Sequence, residues 1–219
     1  MPNWVTTHLT VTGPADQLTA FKEKASSVLD SDTGRKTPLT FGAFIPMPPS
    51  LTVEASSDAD LGYAVYHGGD ISRYLNWPEV RSAGVTDRDA LMLYLDATRP
   101  NVRKLGDTYA HNLSTYGVKN WYDWSIENWG TKWDACRPEE LDASDGEWRV
   151  RFDTAWSPAE PVLQAMSEQF PELEFVATFD EESHMFFYEA TWNAGVKTDT
   201  RELERDGDDD DDEYGGEDD

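Results

Sequence analysis

The chain has 219 residues, 38% of them hydrophobic and 12% aromatic, enough apolar material for a substantial core. Its 43 Asp and Glu against 18 Lys and Arg give a formal charge of -25, which argues against a binder of phosphate backbones, since that needs cationic side chains, and disfavours an anionic membrane surface. The lone Cys136 excludes an intrachain disulfide and a multi-cysteine zinc site. No stretch approaches the ~18 apolar residues of a membrane span, so a soluble, cytoplasmic protein is expected.

In chain order, "WVTTHLTVTG" alternates β-branched and apolar residues and predicts a strand. "PADQLTAFKEKASSVL" then opens on Pro14 and places Leu18, Phe21, Ala25, Val28 and Leu29 at helical spacing. From Asp30 to about Gly84 prolines and turn residues predominate, which predicts long loops with one or two short elements. "TDRDALMLYLDATRPNVRKLGDTYAHNLSTYG" reads as a helical pattern with Thr86 as its cap, broken in two at Pro100.

The block "NWYDWSIENWGTKWDA" puts Trp121, Trp124, Trp129 and Trp133 within Asn120 to Ala135. Its neighbours are acidic, so a base-stacking platform is disfavoured; a short helix stopped at Gly130, with its indoles packed under a sheet, is expected. That reading places Trp133 in the core. A strand beginning near Lys132 follows, then the turn "DASDG" and a second strand, "EWRVRFDTAW". "SPAEPVLQAMSEQF" predicts a helix capped by Ser157 with Pro158 in its first position. "LEFVATF" and "MFFYEATW" are the last two expected strands.

Without the insertion this order is β-α-β-β-α-β plus one edge strand. The expectation is an α+β fold: a ferredoxin-like antiparallel sheet with two covering helices and a helical insertion between the first helix and the second strand. One domain is expected over 1–198, with the insertion at about 31–120. Residues 199–219 hold thirteen acids and one leucine, which predicts a disordered acidic tail.

The opening "MPNWVTTHLTVTGP", the block "NWYDWSIENWGTKWDA" and the strands "LEFVATFDEESHMFFYEATW" together resemble the YubB-like (Api-like) proteins of phages and plasmids. The resemblance implies a mobile-element protein with a ferredoxin-like domain and carries no catalytic residue over.

Signals of chemistry are sparse. His8, His67, His111 and His184 are scattered without metal-ligand spacing, and no nucleophile elbow or phosphate loop occurs. "YHGGD" reads as a loop turn, Cys136 as an inert small hydrophobe, and neither "DSD" at Asp30 nor the run Asp208 to Asp212 has the rest of a calcium loop. The chain is therefore read as no enzyme, with no cofactor and no metal. Its expected role is to bind a basic host protein, a nucleic-acid-binding or defence factor, as an acidic DNA mimic. Asp134, Glu139, Glu140, Asp142, Asp145, Glu147 and Asp153 are the candidate partner-binding surface. The alternatives are a structural domain whose Asp-rich surface reflects a saline habitat, and an enzyme built around His67 and Asp70.

Overall fold

The computed structural model describes residues 2–26, 36–142 and 144–205. The "DSD" at Asp30 and most of the expected disordered acidic tail, with its run Asp208 to Asp212, lie outside them. The chain divides into two compact units, one of Met1–Pro46 with Asn128–Asp219 and one of Met47–Glu127.

In the first unit, β1 (Trp4–Thr12) leads into α1 (Ala15–Ala25). The second unit is a contiguous helical insertion: α2 (Ser57–Tyr66), α3 (Ser72–Leu75), α4 (Pro78–Ser82), α5 (Arg88–Thr98), α6 (Asn101–Tyr116) and most of α7 (Trp121–Trp129), which returns the chain to the first unit. There follow β2 (Cys136–Leu141), β3 (Glu147–Ala155), α8 (Glu160–Gln169), β4 (Glu174–Glu181), β5 (Phe187–Asn193) and β6 (Val196–Glu202).

The six strands form one sheet in the order β2-β3-β1-β4-β5-β6, and all neighbours are antiparallel. The order 2-3-1-4 is the ferredoxin-like arrangement; β5 and β6 extend it. The period of two decides the faces: Val5, Leu9 and Val11 of β1 are buried with Trp148, Val150 and Phe152 of β3 and Phe175 and Phe179 of β4. Phe21 of α1 closes this core, with its ring 5.4 Å from Trp148 and 5.3 Å from Phe175, edge-on to both. The opposite face carries Trp4, Thr6, His8 and Thr10 of β1 and Arg149, Arg151 and Asp153 of β3.

Several element boundaries depart from expectation. β6 runs to Glu202, past residue 198, because Tyr188, Glu189 and Ala190 of β5 supply ladder partners for Glu202, Arg201 and Thr200. Asp87, not Thr86, caps α5, its carboxylate accepting from the Ala90 N–H at 2.9 Å. α8 begins at Glu160 with Pro161 in its first turn, since Ser157 instead donates its hydroxyl to the Gly130 carbonyl at 2.5 Å. The insertion has more helix than the expected one or two short elements. Its polar, turn-rich stretches form short helices whose apolar residues Leu61, Val65, Tyr74 and Val80 join one core with Leu91, Leu95 and Val102.

Within the second unit, α2 and α6 meet backbone to backbone. A Cβ on Gly62 would stand 2.0 Å from the Val102 carbonyl oxygen, and one on Gly106 would stand 2.3 Å from the Gly62 carbonyl carbon. Arg88 donates to the carbonyls of Ala64, Val65 and Gly69 at 2.6, 2.7 and 2.6 Å, satisfying the end of α2 and the loop after it.

Candidate functional site

The tryptophan block does not act as one packed unit. Trp124 and Trp129 are buried, the latter donating its indole N–H to the Ile45 carbonyl at 3.0 Å. Trp133 is only half-buried, so its assignment to the core is corrected. Residues 131–134 are not strand; β2 starts at Cys136 because Asp134 turns the chain, accepting from the Thr40 hydroxyl at 2.6 Å and from the Phe41 and Ala135 N–H groups at 2.5 and 2.7 Å.

Trp133 instead stands between Trp4 and Trp156, with ring centroids 6.0 and 6.5 Å away. Cations line this rack: the Lys132 ammonium lies 4.5 Å from the Trp133 ring and 5.0 Å from the Trp156 ring, and the Arg137 guanidinium 4.9 Å from the Trp4 ring. Arg137 is aimed there by a bulge in β2, where the register shifts between Cys136 and Glu139 and its φ is 52°.

Trp156 is 45% exposed, and its φ of 68° is the left-handed region that a bulky residue avoids. Its neighbours hold it there. The Ala155 N–H donates to the Thr131 hydroxyl at 3.1 Å, and that hydroxyl donates to the Ala155 carbonyl at 2.9 Å. The Trp156 N–H donates to the Asn3 carbonyl at 2.8 Å, and Thr154 donates to the Ser157 carbonyl at 2.8 Å. Local strain of this kind persists only where the surroundings over-determine it. The motifs "PNW" and "NWGTKW" thus converge: Asn3 and Thr131 fix the backbone that presents Trp156, while Trp4, Lys132 and Trp133 build the rack beside it.

The seven candidate carboxylates separate into two groups. Glu139, Asp142 and Asp145 are exposed on the β2–β3 hairpin and, with the half-buried Glu147, make no ion pair among the described residues. The other three are bound internally. Asp134 holds the loop just described. Glu140 points to the helix-covered face and pairs with Lys22 of α1 at 2.8 Å. Asp153 is 1% exposed; it accepts from the Thr6 hydroxyl at 2.9 Å and faces Arg137 Nε at 2.9 Å and Arg151 at 3.6 Å.

His67 and Asp70, the pair named for an enzyme, bond to different partners. His67 bonds Asp107 at 2.8 Å, whereas Asp70 lines a separate cavity of about 340 Å³ with Tyr63, Arg73 and Lys119. A larger cleft of about 550 Å³ beside β5 and β6 contains Glu160, Tyr188, Lys197 and Arg205. There Glu160 accepts from Tyr188 at 2.7 Å and from Lys197 at 2.8 Å, and Arg205 donates to Asp180 at 2.6 Å while its buried Nε has no hydrogen-bond partner among the described residues. Burial pushes the Cys136 thiol up despite the neighbouring Arg137, which leaves it a poor nucleophile. His8 is exposed on the open sheet face; desolvation by partial burial, then Arg151 and Arg149, hold its pKa down. No group of three metal-ligating side chains converges among the described residues, and none of their helices is long and apolar enough to cross a membrane.

The segment containing the hairpin and most of the rack also matches a family model, described as the ferredoxin-like domain in Api92-like protein, over residues 128–217. The crystal structure of protein api92 from Yersinia pseudotuberculosis shares the fold, with a TM-score of 0.51 over 94% of this chain and 99% of that one at 12% identity. No curated protein matches the chain. The resemblance read from the sequence motifs is thereby borne out at the level of the Api92-like domain and its fold.

Proposed function

We propose that the protein is a non-catalytic accessory factor that binds a basic partner through its Api92-like unit. One observation carries this reading: Glu139, Asp142, Asp145 and Glu147 lie on one hairpin and none of them makes an ion pair among the described residues, not even Glu139, which stands opposite Arg151 in the strand register. Like charges gathered in this way repel one another in the free protein, and a basic surface relieves that repulsion on binding.

The charge distribution supports a function over a habitat signal. The second unit has seven Lys and Arg against eleven Asp and Glu, or -4. The first has eleven against thirty-two, or -21, and ten of its acids fall in residues 206–219. Solvation chemistry acts on every exposed surface, whereas here the acidity is concentrated in the unit that bears the hairpin.

A nucleic-acid-binding protein is the partner class that fits, because its groove is cationic and shaped to receive phosphates. The test is a calorimetric titration of the full chain into a purified basic DNA-binding domain at several salt concentrations. The reading predicts binding that weakens as salt rises and is reduced in a variant carrying Glu139→Gln, Asp142→Asn, Asp145→Asn and Glu147→Gln. Binding that is indifferent to both salt and these amides counts against it.

A further inference from the structure

We propose that the exposed face of Trp156 is a seat for an arginine side chain of the partner, so that an aromatic anchor fixes what the hairpin carboxylates attract. This rests on the reading above that the partner is basic.

Three observations converge on it. First, a residue whose backbone is held at φ 68° while 45% of its surface stays open gains little for the fold from that exposure. Strain retained to present a side chain is characteristic of recognition sites. Secondly, rings of this rack already accept cations from the chain itself: Lys132 stands 5.0 Å from Trp156 and 4.5 Å from Trp133, and Arg137 stands 4.9 Å from Trp4. Those positions are taken by the chain's own cations, so a partner's guanidinium would seat on the part of Trp156 that they and Trp133 leave exposed. Thirdly, even without residues 206–219 the first unit holds twenty-two Asp and Glu against eleven Lys and Arg, so its net field favours a cationic partner over a phosphate-bearing one.

Arginine fits better than lysine. A planar guanidinium stacks on an indole and sheds its weaker hydration more readily than an ammonium does. The placement also agrees with interface anatomy, in which an aromatic anchor is ringed by polar groups that contribute less individually. Trp156 follows the last residue of β3 at the base of the hairpin, and Asp142 and Asp145 lie towards its tip. Asp142 lies level with about residue 148 and Asp145 at the turn, so at about 3.3 Å per strand residue they stand roughly 25–35 Å from Trp156, about the width of a standard interface.

The full chain and its Trp156→Ala variant are titrated with an oligoarginine and an oligolysine peptide of equal length and charge, followed by tryptophan fluorescence and calorimetry. The wild type should prefer oligoarginine by about three- to thirtyfold, the range a cation–π contact supplies. The variant should lose that preference and keep the same dependence on salt. An arginine preference that survives Trp156→Ala overturns the proposal.

A second measurement does not depend on the carboxylates or on the variant folding. A blocked single arginine is titrated into the wild type while the indole N–H resonances are recorded, with Trp156→Phe assigning the signal. A selective shift of the Trp156 resonance supports the seat, and its absence overturns it. If neither peptide binds, the basic-partner reading fails, and the blocked arginine still decides whether the seat exists.

Discussion

The backbone N–H of Trp156 donates to the carbonyl of Asn3 at 2.8 Å, tying the end of β3 to the start of the chain. Two segments more than a hundred and fifty positions apart in sequence thereby fix the one left-handed tryptophan.

Trp156→Gly should be more stable than Trp156→Ala by about 1 kcal/mol. Both lose the indole and its contact with Trp133, but only alanine keeps a Cβ in the left-handed region, which costs an L-residue roughly 1–2 kcal/mol. Denaturant unfolding of the two variants measures the difference. Equal stabilities would mean that the backbone there is not left-handed.

Thr131→Val should cost about 1–3 kcal/mol, because the hydroxyl that serves both the N–H and the carbonyl of Ala155 is replaced by a methyl group in a buried site. Its unfolding midpoint, and the accessibility of Trp156 to an aqueous quencher, should both move. A variant as stable as the parent would show that water or another group satisfies Ala155.

Gly106→Ala should destabilise the second unit by about 2 kcal/mol or more. Its new methyl would overlap the Gly62 carbonyl carbon at 2.3 Å, and backbone cannot give way as a flexible side chain can. Limited proteolysis should cut first within residues 47–127. Unchanged protection there would contradict the glycine crossing of α2 and α6.

Burial, then the hydrogen bond to Asp96 at 2.7 Å, pushes the Tyr66 phenol up from 10.0 to about 12. The folded state therefore favours the protonated phenol, and that contribution is complete below pH 10 and disappears as the pH climbs through 12. Tyr66→Phe should show a smaller loss of stability than wild type across this window. Parallel curves for the two proteins would refute the shift.

The ferredoxin-like frame was legible because its signals are local: alternation in "EWRVRFDTAW" and "LEFVATF", and helical spacing in α1 and α8. Charge and residue type alone did not sort the acids, because whether a carboxylate is free depends on distant residues. Asp153 meets Thr6, Asp134 meets Thr40, and Glu140 meets Lys22 of α1. Trp133 was expected in the core because large aromatics usually pack; its neighbours Trp4 and Trp156 come from other segments of the chain. A usable signal was present in the pairing of "PNW" with "NWGTKW", which the fold brings to one place. β6 was missed because its composition is polar on both faces, as an exposed edge strand's can be.

The most direct test of the account is the rate at which the protein associates with a basic DNA-binding domain, measured by stopped flow over a range of ionic strength. The quadruple amide variant at Glu139, Asp142, Asp145 and Glu147 is compared with wild type. Exposed charges are screened beyond a Debye length of about 8 Å at physiological salt, so wild-type association should slow steeply as salt is added. The amide variant should start slower and depend less on salt, and double-stranded DNA should compete with the wild type for the domain. Equal association rates for the two proteins at low and high salt would contradict a function carried by these carboxylates.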